Sequence, residues 1–133
     1  MKNLKDIISE KLIINKNTKI QNFNYHPKDR DELIEIINSL MKERGNNANL
    51  NDIDTSDITD MSKLFEYSEF NGDISKWDVS NVITMEGMFR RSKFTGKNGN
   101  ISGWDVKNVK DMYDMFAWTD FNQDISDWDV KKR

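Results

Sequence analysis

The chain has 133 residues, 36% hydrophobic and 11% aromatic, and a net charge of −3. The aromatic content excludes a disordered chain, and the lack of cysteine excludes disulfides, thiol catalysis and Cys-type zinc sites. Nine Lys/Arg face seven Asp/Glu in residues 1–50, but eleven face sixteen in residues 51–133, a balance that argues against binding nucleic acid through its phosphates.

Residues 3–9 put Leu4, Ile7 and Ile8 on one helical face, and 12–14 and 20–25 are strand-like around the turn-forming 15–18. The spacing predicts a longer helix over 29–44. Asp29-x-x-Glu32 reads as a capping box, Leu33, Ile34, Ile36, Ile37, Leu40 and Met41 form an apolar stripe, and Gly45 stops it. Together residues 1–49 read as an N-terminal α/β capping module, whose last residues, 46–49, link it to a repetitive region. Lys5, Asp6, Glu10 and Lys11 interrupt any signal-peptide core, and no segment is apolar enough to cross a bilayer. The expectation is a cytoplasmic protein without membrane contact, or a secreted or surface one if the chain is trimmed from a longer protein.

Residues 50–133 are internally repetitive, with three full units and a terminal fragment beginning at Leu50, Ile74, Ile101 and Ile125. The spacings are 24, 27 and 24 residues, the longer one containing an insertion in loop 95–100. Ile53, Trp77, Trp104 and Trp128 share a column, as do Met61, Met85 and Met112, then Phe65, Phe89 and Phe116, then Phe70, Phe94 and Phe121. Each unit reads as a short strand through Trp77-Asp78-Val79 and a two-turn helix with Met85, Met88 and Phe89 on one face. Asp60, Thr84 and Asp111 stand where helix N-caps would be. A unit this small cannot bury its own apolar face, so the units should stack as a solenoid with the aromatic columns inside. The fold class expected is α+β.

The segments FNGDISKWDVSNV (70–82) and FNQDISDWDV (121–130), with Met-x-x-Met-Phe at 85–89 and 112–116, resemble the BspA-like leucine-rich-repeat surface protein family. The resemblance covers roughly residues 50–133. It implies a right-handed leucine-rich-repeat-like solenoid of strand-helix units, without enzymatic activity, in a family read mostly as surface or secreted binding proteins.

No residue pattern points to catalysis, a cofactor or a metal. Asp52-x-Asp54-x-x-Asp57 and Asp124-x-x-Asp127-x-Asp129 lack the glycine and terminal glutamate of a calcium loop, and His26 has no nucleophile beside it in sequence. The Asp54, Asp78, Asp105 and Asp129 column reads as solvated turn carboxylates. Columns that vary carry more information. Tyr67, Arg91 and Trp118 share one position, with the composition of an interface hot spot. Arg90 and Lys93 flank that row, Lys97 lies in the inserted loop, and Tyr113 is a further aromatic beside it. These seven residues are the candidate protein-binding set.

The function expected is a non-catalytic protein–protein interaction module. Alternatives are a phage- or mobile-element-encoded inhibitor of a host defence protein, anti-CRISPR-like in kind, and a fragment of a surface adhesin. The expected partner is another protein. The chain itself is expected to be a monomer, with a homodimer through the C-terminal edge as the rival state, because Lys131, Lys132 and Arg133 can protect an uncovered end by charge.

Overall fold

The computed structural model describes residues 22–130. The expected helix at 3–9, the strand at 12–14, the turn at 15–18 and the terminal cations 131–133 lie outside the described residues. Helix α1 spans Arg30–Arg44. Its N-cap Asp29 accepts the Glu32 N–H at 2.9 Å, as the capping box requires. The reciprocal bond goes one residue further back, from Lys28 N–H to the Glu32 carboxylate at 2.8 Å. Gly45, at φ +90°, ends the helix by donating its N–H to Met41 O. Leu33, Ile37 and Leu40 are the buried face, with Ile34, Ile36 and Met41 packed half-buried beside them.

Helix α1 covers the first repeat. Arg44 holds Asp52 with two bonds of 2.9 Å and reaches Asn49 O at 2.8 Å. Arg30 Nε donates to Ser62 O at 2.7 Å. Residues 24–25 close the same end, with Tyr25 in a parallel bridge to Ile53.

The repeats stack side by side in parallel register, but not as strand-helix units. Among the described residues α1 is the only helix, extended pairing is limited to isolated bridges such as Asp60↔Thr84↔Asp111, and there is no sheet. The expected α+β leucine-rich-repeat-like solenoid is therefore overturned. Each Met-x-x-Met-Phe segment is a run of β-turns, closed for example by Leu64 N–H to Met61 O and Ser68 N–H to Phe65 O. The overlapping turns closed by the Glu66, Arg90 and Ala117 N–H groups have no positive φ at their third residue. In the turns that open on the Met and Phe positions, positive φ falls at the third residue, at Lys63 and Tyr67 in the first unit, Gly87 and Arg91 in the second, and Asp114 and Trp118 in the third. That pattern defines type II turns. Asp60 and Asp111 accept the N–H two residues ahead at 2.8 and 3.0 Å, so they open turns rather than cap helices. The Trp77-Asp78-Val79 segment, expected as a strand, only joins two turns, one closed by Trp77 N–H to Ile74 O and the next by Val82 N–H to Val79 O, while Ser80 N–H bonds the Asp78 carboxylate.

The reason lies in where the backbone N–H groups go. Every second one leaves its unit: Met61, Lys63, Phe65 and Tyr67 donate to Thr84, Glu86, Met88 and Arg90 O at 2.8–3.0 Å. Met85, Gly87, Phe89 and Arg91 repeat this with Asp111, Tyr113, Met115 and Ala117. A helix would spend those donors inside its own turn. Side chains follow the same register. Phe65, Phe89 and Phe116 stack at 5.5 Å centroid spacing, and Phe70, Phe94 and Phe121 at 6.2 and 5.9 Å. Each repeat Trp donates its indole N–H back one unit, Trp77 to Leu50 O, Trp104 to Ile74 O and Trp128 to Ile101 O, at 2.9–3.1 Å. Asn81 and Asn108 do the same with Ser56 and Ser80 O at 2.7 Å.

Candidate protein-binding surface

The second turn of each unit positions the candidate row. Phe65 and Phe89 anchor the first two such turns in the core, and Ser68 and Ser92 close them with backbone bonds. Phe116 begins the third, which the Thr119 hydroxyl closes by donating to Phe116 O at 2.8 Å. The residue before each closing position takes φ +59°, +56° and +60°, at Tyr67, Arg91 and Trp118. For a residue with a Cβ this conformation costs roughly 1–2 kcal/mol. All three side chains stand in solvent, Tyr67 64% and Trp118 75% exposed. The ladder spaces them so that the Arg91 guanidinium lies between two rings, 5.0 Å from the Trp118 centroid and 6.0 Å from Tyr67. Cation–π contacts of this kind contribute about 0.5–1 kcal/mol at exposed sites. They set the Arg91 charge against both rings.

The other candidates divide around this row. Arg90 donates to the Glu66 carboxylate at 3.1 Å, and the Glu66 hydrogen bond, then the one to Tyr67, hold its pKa above the ordinary value. Tyr113, 72% exposed, lies on the first turn of its unit beside a shallow depression of about 220 Å³ that Lys63, Glu86 and Arg90 also line. Lys93 has an exposed side chain and a backbone N–H bonded to Ser68 O. Lys97 is exposed on the inserted loop, which Asn98 and Asn100 pin to Asn71 O and the Gln123 side chain. The structure thus brings Tyr67, Arg91 and Trp118 into direct contact, sets Arg90 and Tyr113 on a neighbouring depression, and leaves Lys97 apart. Sequence columns could not reveal the sandwich, but Gly87 sharing a column with Lys63 and Asp114 was a readable sign of left-handed turn positions.

The carboxylates are engaged in local structure. Asp54, Asp78 and Asp105 each accept the N–H two residues ahead. Burial works against the charge on Asp54, yet Ser56 and His26 together hold its carboxyl below the usual range. Burial also opposes the charge on Asp73, and Ser75 with Asn51 outweighs it. Arg44 first, and Asn24 after it, keep Asp52 low. Among the described residues no three His, Cys, Asp or Glu side chains gather as a metal site, and no helix is long and apolar enough to cross a membrane.

A covered first end, a row of left-handed turn residues and a continuous aromatic core define a class of stacked β-turn repeats. Residues 35–133 match the family described as Mycoplasma protein of unknown function, DUF285, and the chain belongs to that family. No curated protein and no solved structure matches it.

Proposed function

We propose that this chain is a non-catalytic protein-binding module, acting in the cytoplasm, and that it meets its partner through Tyr67, Arg91 and Trp118. One observation carries the reading: three bulky side chains occupy left-handed positions that glycine would fill without strain, and they form one exposed Arg–aromatic sandwich. Two rings flank the Arg91 guanidinium, whose charge suits a carboxylate on the partner, with Trp118 and Tyr67 supplying apolar contact. Among the described residues no carboxylate forms an ion pair with Arg91. The test is affinity capture followed by quantitative mass spectrometry, comparing wild type with Arg91→Ala and Trp118→Ala. The expected outcome is one protein lost about tenfold or more from both variants, with melting temperatures within a few degrees of wild type. Equal capture by all three chains, or variants that unfold, would sink the proposal. Cell fractionation checks the compartment.

A further inference from the structure

The chain carries two Asn-Gly pairs, Asn71-Gly72 and Asn98-Gly99, and the stack holds them differently. In such a pair the glycine nitrogen has no Cβ beside it and its backbone turns freely, so it can reach the Asn side-chain carbon and close a five-membered ring. Asn71 is half-buried between units. Its Oδ1 accepts the Thr95 N–H at 2.8 Å and the Thr95 hydroxyl at 3.0 Å, and its own N–H reaches Asn46 O at 2.7 Å. Gly72 is buried against the Ala48 backbone, with no room for a Cβ. Asn98, by contrast, is exposed on the inserted loop 95–100. Among the described residues its side chain makes one bond, from Nδ2 to Asn71 O at 2.6 Å, and that bond helps tie the loop to the first unit. The Gly99 N–H spans 3.2 Å to Gly96 O.

We propose that Asn98-Gly99 is a self-modifying site, where loss of ammonia from Asn98 irreversibly unties the inserted loop from the first unit. The Gly99 nitrogen gives its proton to solvent hydroxide and bonds Asn98 Cγ, the Cγ–Nδ2 bond breaks, and Nδ2 takes a proton from water and leaves as ammonia. Water then opens the ring at one of its two carbonyls, which leaves an Asp or an isoaspartyl residue. Either product replaces the amide donor by a carboxylate that can only accept. Acceptor then meets acceptor at Asn71 O, and the new charge arises beside Gly99, which packs so closely on the Asp73 carboxylate that a Cβ would strike it. Ring closure needs the bonds to Asn71 O and Gly96 O open, and an exposed loop opens at little cost. Freeing Asn71 instead requires two units to part. This reading is independent of the Tyr67–Arg91–Trp118 row.

The test incubates the full chain in mildly alkaline buffer beside a synthetic peptide of residues 94–107 as a clock. Tryptic fragments 64–76 and 98–107 separate the two pairs, and mass spectrometry follows the gain of about 1 Da on amide loss. Fragmentation within 98–107 distinguishes Asn98 from Asn100. Asn98 should convert at least about tenfold faster than Asn71, and Asn98→Gln should remove that conversion. An Asn98→Asp chain should keep its melting temperature within a few degrees, exchange its Lys97 and Gly99 amides about tenfold faster than wild type and leave Phe89 unchanged. Conversion of Asn71 as fast as Asn98 would overturn the proposal, as would an Asn98 still intact when the peptide has reacted to completion. So would loop amides as protected in Asn98→Asp as in wild type, since modification then releases nothing.

Discussion

At its N-terminal end the stack lies under α1, where Leu33, Ile37 and Leu40 are buried, Arg30 bonds the Ser62 carbonyl and Arg44 the Asp52 carboxylate of the first unit. At the other end the Phe columns finish half-covered at Phe116, which lines a hollow, and at Phe121, and Val130 is 52% exposed, although Trp128 stays buried. The side-chain types are nearly identical, so the difference in burial comes from neighbours and not from the units themselves. Stability in such an array is a sum of contacts between adjacent units, and a unit with one neighbour has about half of them.

Paired tryptophan substitutions test this most severely. Trp104 is 4% exposed, stacks on Trp128 at 6.2 Å and bonds Ile74 O, so Trp104→Ala should cost about 3–5 kcal/mol. Trp128 has only one repeat neighbour, and Trp128→Ala should cost distinctly less, about 2 kcal/mol. Equal denaturation midpoints for the two variants would mean that neighbours do not set the energy of a unit.

A smaller effect isolates the covered end. Asp52, Asp54 and Asp73 all have folded pKa values lowered from the ordinary carboxylate value of about 3.9. A lowered folded pKa contributes stability that is complete above the unfolded value and disappears as the pH falls through the folded one. The chain should therefore hold its melting temperature down to about pH 5 and lose it progressively below pH 4. Asp52→Asn, which removes the anionic partner of Arg44, should cost about 1 kcal/mol at neutral pH and flatten part of the acid limb. A wild-type acid limb in this variant would show that α1 is held by its apolar face alone.

The smallest expected effects have opposite signs, and they compare two turn columns. Gly87→Ala forces a Cβ into φ +59° within 3.3 Å of Lys63 Cγ, and should destabilise by about 1 kcal/mol. Tyr67→Gly relieves strain at φ +59° and should stabilise by up to about 1 kcal/mol while weakening the proposed partner contact. Thermal melts of the two variants that move in the same direction would show that backbone strain is not what separates the columns.

Much of this molecule was legible in its residues. Asp29, Glu32, the apolar stripe and Gly45 specified α1 to within a residue, because a capped amphipathic helix is a local structure whose hydrogen bonds close within its own sequence. The Trp, Met and Phe columns gave the repeat register and most of the core, since identical side chains at one period can be buried together only by stacking. Tyr67, Arg91 and Trp118 were recognisable as one position. Their contact and left-handed backbone were not, because neither leaves a mark in spacing.

Tertiary structure alone decided between helix and turn in the repeats. Apolar residues at i, i+3 and i+4 fit one face of a helix and equally fit two successive type II turns, as at Met85, Met88 and Phe89. What separates the two is the destination of alternate backbone N–H groups, a choice no side chain records. Here the neighbouring unit offers carbonyls at 2.8–3.0 Å in register, so the donors cross between units and the chain folds into overlapping turns instead of winding. The same dependence on a neighbour leaves the final row of donors, Met112 to Trp118, without acceptors among the described residues.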